Sequence, residues 1–315
     1  MRSAASSATR HEPRRMIHMS QGPFLSAPDR PPEEIGGVRI GGVLGVGGLS
    51  RVYRGRRIAD GQAVAIKLMH LPDGNEVRRK RALRESVAAA HVSHPGVVKV
   101  HNAGIEGDRA FVIMELIEGI DLSLFIERKG PMPAKLLRSA GCRLIEALAA
   151  IHAAGCIHRD LKPANVLADP VRRGFVIVDF GLSKMIDGSG SSRLTATGII
   201  LGTPGYLAPE QADGLTEPSF PSDVYGLCAT LWTAGSGRPP YSGDSPYDII
   251  RNQLAGPPSA DIIGLPRLIT EMLRAGLETD PAARPKLDDL RHALSGTAGI
   301  RTTDNGQPSQ DGNPL

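Results

Sequence analysis

The sequence predicts an α+β fold, with strands gathered in the first third of the chain and helices after them. Three observations carry this. Residues 38–69 read as three strands around a glycine-rich connection. Residues 133–154 bring Leu136, Leu137, Ala140, Leu144, Ala147, Leu148 and Ile151 together at helical spacing, as core positions. A further apolar helix opens at Ser222-Asp223-Val224-Tyr225-Gly226-Leu227 and runs through Trp232. The 315 residues are about twice a typical domain, so one two-lobed domain or two small ones would account for the length.

Composition narrows the class. Hydrophobic residues at 41% and charged residues at 22% are ordinary for a soluble globular protein. Aromatics reach only 4%, so the core must rely on Leu, Ile, Val and Ala. Much of the net charge of +4 is local, in Arg78-Arg79-Lys80-Arg81, which reads as a solvated face; no nucleic-acid partner is expected. No run approaches the 18 or so apolar residues of a membrane span. Cys142, Cys156 and Cys228 share no metal-ligand spacing, and an odd, scattered set fits reduced thiols in the cytoplasm.

In chain order, residues 1–34 are rich in Ser, Ala, Pro and Arg without periodicity, and read as a disordered tail. Their Arg/Ser-rich start is also compositionally like a transit peptide. Leu44-Gly45-Val46-Gly47-Gly48-Leu49-Ser50-Arg51-Val52 joins the first two strands, and its glycines permit a hairpin whose amides approach phosphate oxygens. Val64-Ala65-Ile66-Lys67 follows on the next strand, where a lysine beside an apolar face suits α/β-phosphates. Residues 76–91 look helical, with Val77, Leu83, Val87 and Ala90 forming an imperfect stripe that includes Glu85. Phe111-Val112-Ile113-Met114-Glu115-Leu116 is a further strand. Residues 186–197 are Gly/Ser/Thr-rich and read as a mobile loop, and residues 297–315 as a polar tail.

The richest stretch runs Ile157-His158-Arg159-Asp160-Leu161-Lys162-Pro163-Ala164-Asn165-Val166-Leu167, then Phe175-Val176-Ile177-Val178-Asp179-Phe180-Gly181. An Asp with an Asn five residues on fits a tight loop that aims both side chains into one cleft. The second Asp follows a β-branched apolar run and so belongs at a strand end. One candidate base, one amide ligand and one carboxylate ligand are the set needed to hold Mg²⁺ on a nucleotide and orient a hydroxyl nucleophile.

This stretch resembles the catalytic loop and Asp-Phe-Gly motif of protein kinases. Gly202-Thr203-Pro204-Gly205-Tyr206-Leu207-Ala208-Pro209-Glu210 resembles their substrate loop and Ala-Pro-Glu motif. Pro209-Glu210-Gln211 and Asp280-Pro281-Ala282-Ala283-Arg284-Pro285 look most like bacterial (Hanks-type) serine/threonine protein kinases, and the resemblance covers about residues 36–294. It implies a small β-rich lobe over 35–116, a larger helical lobe over 117–296, and ATP with Mg²⁺ between them. It assigns Asp160 as base and Lys162, Lys67 and Glu85 as its catalytic companions, Glu85 pairing with Lys67. Asn165 and Asp179 take the metal. Residues 44–52, Ala65, Lys67, Met114 as gatekeeper, Glu115, Leu116 and Leu167 form the ATP site. Asp121 either reaches the ribose or caps the helix that starts there. Asp223 steadies the catalytic loop, and Arg284 pairs with Glu210. Ser50 stands where the family has its third glycine.

The resemblance also implies activation by phosphorylation of Thr195 and Thr197, with Arg81, Arg159 and Lys184 as the phosphate pocket and a transient homodimer for autophosphorylation. Many such kinases carry a membrane segment and sensor domain after the core, for which this chain ends too soon. Two rivals differ in class. A pseudokinase would have lost Lys67, Asp160 or Asp179, all present. A small-molecule phosphotransferase would lack the substrate loop at 202–210, which is complete.

Overall fold

The computed structural model describes residues 31–47, 50–70, 91–172, 174–179, 203–212, 218–259 and 261–296. The first part is a six-stranded antiparallel sheet in the order β1-β2-β3-β4-β6-β5. Its strands are β1 (Glu34–Ile35), β2 (Val38–Val46), β3 (Ser50–Arg57), β4 (Ala63–His70), β5 (Val100–Glu106) and β6 (Arg109–Glu115). The three strands expected over 38–69 are therefore present. The sheet starts earlier than expected, however, because Glu34, assigned to the tail, pairs with Arg39 across a tight turn. The strand expected over 111–116 begins at Arg109 and ends at Glu115, which leaves Leu116 in the connection. Strand β5 has no clear apolar alternation, with only Val100 buried.

Strand β4 is buried from Val64 to Met69 and sends side chains to both faces. Val64, Ile66 and Leu68 join Ile35, Val38, Tyr53, Phe111 and Ile113 in an outer cluster. Ala65 and Met69 join Val100, Val112 and Met114 in the main core, which continues into the larger part of the protein.

That larger part opens with β7 (Ile120–Asp121), which forms a three-stranded sheet with β8 (Val166–Asp169) and β9 (Gly174–Ile177). Its helices are α1 (Leu122–Lys129), α2 (Ala134–Ala153), α3 (Pro209–Ala212), α4 (Phe220–Ser236), α5 (Pro246–Leu254), α6 (Arg267–Ala275) and α7 (Leu287–Ser295). Helix α2 buries the stripe read from sequence, save Leu136 at its exposed edge. Each fully buried Leu or Ile there contributes about 1.5–3 kcal/mol of transfer free energy. Helix α4 is buried on every side from Ser222 to Gly235, as its unbroken apolar run implies. Gly226 lets it approach the loop around Leu161, since a Cβ there would lie 2.8 Å from the Leu161 carbonyl oxygen. The two parts are stitched by β9. Ile177 donates to the Gly96 carbonyl and accepts from Val98 N–H, at 2.8 and 2.9 Å.

Candidate active site

The cleft between the two parts gathers residues from both. From the small part, Leu44 and Val52 pack on the main core together with Ala65 and Met114. Gly45 and Val46 pair with Val52 and Arg51, and Gly47 N–H closes the hairpin on the Ser50 carbonyl at 2.8 Å. Gly48 and Leu49 lie outside the described residues. Lys67 is buried opposite Val52 and Val112. A buried lysine needs an anion, and Lys67 Nζ stands 3.0 Å from Asp179 Oδ1. Glu85, the expected partner, lies outside the described residues, as do Arg81, Lys184, Thr195 and Thr197.

The loop that carries Asp160 is a short relay of contacts. Lys162 Nζ reaches Asp160 Oδ2 at 3.0 Å and donates to Thr203 Oγ1 at 3.1 Å. Asn165 sits in the 3₁₀ turn Pro163–Asn165, where proline pre-sets the backbone. Its amide donates to the Asp160 carbonyl at 2.7 Å and to Asp160 Oδ2 at 3.2 Å. Those two donations hold the amide nitrogen on Asp160. Val178 N–H bonds to the Asn165 carbonyl at 2.9 Å, so the strand leading to Asp179 is tied to the same loop. The loop brings Asp160, Lys162, Asn165 and Asp179 into one neighbourhood.

Two non-glycine residues here have left-handed backbone, Arg159 at φ 69° and Asp179 at φ 62°. Such residues cost on the order of 1–3 kcal/mol and persist where neighbours hold them. Asp223 supplies the hold for the first. Its carboxylate, on buried α4, accepts from Arg159 N–H at 2.8 Å and His158 N–H at 2.7 Å. His152, at the end of α2, adds a third contact at 2.8 Å while stacking on Phe220.

His158 is fully buried, and burial pulls its imidazole below the ordinary range despite Asp223 and Asp160 nearby. Its Nε2 faces the Val178 carbonyl at 3.1 Å, and a carbonyl can only accept. The Nδ1 atom accepts Asp160 N–H at 3.3 Å. Both contacts require a neutral ring protonated on Nε2.

At the hinge, the Glu115 side chain accepts Lys99 N–H at 2.8 Å and pairs with Arg172 in the β8–β9 turn. Arg172 is itself held by Asp169 at 3.0 Å. Leu116 is partly buried against the core. Asp121 caps α1, its Oδ1 accepting Leu124 N–H at 3.0 Å. Leu167, half-buried, pairs with Asp121 and Val176. Further along, Arg284 meets Glu210 through two parallel contacts of 2.7 Å and donates to the Pro221 carbonyl.

His152 and Arg172 were missed from sequence. In a linear reading, His152 is a basic residue in a helix's last turn, suited to the helix dipole. Arg172 is an ordinary turn residue, 57 positions from its partner Glu115.

With this geometry in place, comparison identifies the class. Residues 38–293 match the protein kinase domain, and the chain belongs to that family. It is 33% identical over 278 residues to the serine/threonine-protein kinase pkn2 of Myxococcus xanthus, covering 84% of this chain and 33% of that one. It is 34% identical over 265 residues to serine/threonine-protein kinase AfsK of Streptomyces coelicolor, covering 84% and 32%. With serine/threonine-protein kinase PknL of Mycobacterium bovis the identity is 36% over 244 residues, covering 76% and 59%. The chain thus spans about a third of the length of the first two proteins. Among the described residues no helix is long and apolar enough to cross a membrane.

Proposed function

We propose that this chain is a serine/threonine protein kinase that transfers the γ-phosphoryl group of ATP to a Ser or Thr hydroxyl of a protein. The observation that carries this reading is Lys162, which joins Asp160 to Thr203 and so ties the candidate base to the loop that would seat an acceptor. Asp160 orients the hydroxyl and takes its proton, its carboxylate held by Lys162 and Asn165 through Oδ2. Lys67 holds the nucleotide phosphates from the small lobe.

The donors at the cleft suit magnesium, which prefers oxygen ligands and keeps one or two carboxylates alongside substrate phosphates. Asn165 through its amide oxygen and Asp179 through its carboxylate would hold it. Bound there, Mg²⁺ supplies charge neutralisation on the β- and γ-phosphates. Positioning and electrostatics, rather than covalent chemistry, then carry most of the rate. Leu44, Val52, Ala65, Met114 and Leu167 line the adenine position, with the backbone of Glu115 and Leu116 as its hydrogen-bonding edge. Asp121 has a structural task as a helix cap, and a ribose contact would come in addition.

Phosphorylation of Thr195 and Thr197 in a transient homodimer is the activating step within this reading, with Arg159, Arg81 and Lys184 receiving the phosphates. Free cysteines at Cys142, Cys156 and Cys228 are in keeping with work in the reducing cytoplasm.

The test is incubation of the purified chain with labelled Mg-ATP and a generic basic protein, followed by analysis of the phosphorylated residues. Phosphoserine and phosphothreonine are expected, with a fall of about 10²–10⁴-fold in Asp160→Asn at nearly unchanged ATP affinity. Predominant phosphotyrosine, or full activity in that variant, would overturn the reading.

A further inference from the structure

Within helix α5 one side chain is buried, and it is a glutamine. Gln253 is 2% exposed, while its apolar neighbour Leu254 is 58% exposed. An amide taken out of water costs free energy unless its hydrogen bonds are replaced. Gln253 replaces them with two. Its side-chain nitrogen donates to the Leu207 carbonyl and to the Tyr225 hydroxyl, each at 2.9 Å. An amide nitrogen carries two hydrogens, enough for both.

Leu207 belongs to the irregular segment 203–208, which begins at Thr203, the partner of Lys162. The segment turns at Gly205, φ 96°, where an added Cβ would stand 3.6 Å from Ile249 of α5. Tyr206, next to Leu207, meets Thr233 of α4 through its hydroxyl at 3.1 Å. Tyr225 also lies on α4, fully buried, two residues after Asp223. One helix therefore supports both halves of the site. Asp223 holds the backbone before Asp160, and Tyr225, through Gln253, holds the backbone after Thr203.

We infer that Gln253 is a positioning residue for the protein acceptor, setting where segment 203–208 stands relative to Asp160. This rests on the protein-acceptor reading proposed above. The hydrogen bonds of Gln253 run to Leu207 and Tyr225, so its effect passes through the segment that seats the acceptor and not through the nucleotide. Without that donor the Leu207 carbonyl is a buried acceptor with a lost partner, and the segment relaxes toward water to satisfy it. A hydroxyl seated on the relaxed segment meets Asp160 at the wrong distance, and small misplacements of a reacting group are costly.

Kinetics of wild type, Gln253→Met, Gln253→Leu and Tyr225→Phe test this, with a generic basic protein as acceptor and, in parallel, with water as the acceptor in slow ATP hydrolysis. Tyr225→Phe deletes the other partner of Gln253 and leaves the bond to Leu207 in place. All three variants should melt earlier than wild type, since each loses a buried hydrogen bond. Gln253→Met and Gln253→Leu should lower kcat/KM for the protein acceptor about five- to tenfold, the worth of one hydrogen bond. Their KM for ATP and their hydrolysis rate should stay unchanged. Tyr225→Phe should keep the acceptor kcat/KM of wild type. An unchanged acceptor kcat/KM in both Gln253 variants would overturn the inference, and so would an equal fall in Tyr225→Phe or in ATP hydrolysis. Failure of both Gln253 variants to fold would overturn it too, because the contact would then serve the core rather than the acceptor. A wild-type chain that hydrolyses ATP but phosphorylates no protein would overturn the underlying acceptor reading.

Discussion

Lys67 on β4 and Asp179 just past β9 face each other at 3.0 Å, with side chains only 5% and 15% exposed. The pair crosses the cleft from one lobe to the other. Removing one member of a buried pair strands the other charge, typically at a cost of about 3–5 kcal/mol. Lys67→Met should therefore lower the melting temperature without nucleotide, as well as weakening ATP binding. Asp179→Asn should damage metal-nucleotide binding and turnover together. An unchanged melting temperature in nucleotide-free Lys67→Met would show that the pair contributes nothing to the resting fold.

Asp223 is the support on which the backbone before Asp160 rests, since the left-handed Arg159 and its neighbour His158 both donate to it. In Asp223→Ala two buried N–H groups lose their acceptor, at about 1–3 kcal/mol each. We expect a large fall in kcat with a small change in KM for ATP, and faster amide exchange at residues 158 and 159. His152→Phe should preserve the stacking on Phe220 while deleting one contact to the same carboxylate. Its effect should run in the same direction and be several-fold smaller. If exchange at 158 and 159 in Asp223→Ala matches wild type, the proposed support is not what holds the loop.

Short-range features were legible in the sequence because local geometry sets them. Asp160, Lys162 and Asn165 share one short loop, and Pro163 opens the 3₁₀ turn within it that carries Asn165. Strands β2 to β4 were read around a glycine-rich connection, helix α2 from its periodicity and helix α4 from its apolar run, and the last two track burial directly. Other features depend on partners far along the chain. Nothing near Glu115 announces that Arg172 will hold it, and nothing near His152 points to an aspartate 71 residues on. Strand β5 escaped notice because it is an edge strand, with one buried residue and no apolar alternation to read. Asp121 left two readings open in sequence, and the capping bond to Leu124 adds the structural one without touching the other.

Arg284 and Glu210 offer a test of coupling. The guanidinium is buried beneath Tyr225, paired with Glu210, and donates to the carbonyls of Glu278, Thr279 and Pro221. Arg284→Met should cost about 3–5 kcal/mol by leaving Glu210 without its cation. Glu210→Gln in that background should then recover part of the loss, because an amide tolerates burial better than a carboxylate. Urea unfolding of both single variants and the double variant measures this. Strictly additive losses would mean the two groups are not energetically coupled.

His158 gives the stability a defined pH dependence. Burial holds its imidazole below the ordinary value of 6.5 in the folded chain, and its hydrogen bonds require the neutral ring. In the unfolded chain the ring titrates at its ordinary value. Below that pH the unfolded state takes up a proton that the folded state does not, so unfolding gains ground. The contribution of neutral His158 is thus complete above the ordinary value. It is lost as pH falls, by about 1.4 kcal/mol per pH unit until the folded ring itself protonates. His158→Gln keeps a side-chain donor for the Val178 carbonyl but cannot titrate. Its absolute stability should be lower, yet it should lose less stability than wild type between about pH 7 and about pH 5.5, by roughly 1 kcal/mol. Urea midpoints for both proteins across that range provide the measurement. Parallel pH profiles would mean that His158 binds its proton equally well folded and unfolded, and the buried neutral ring would have to be abandoned.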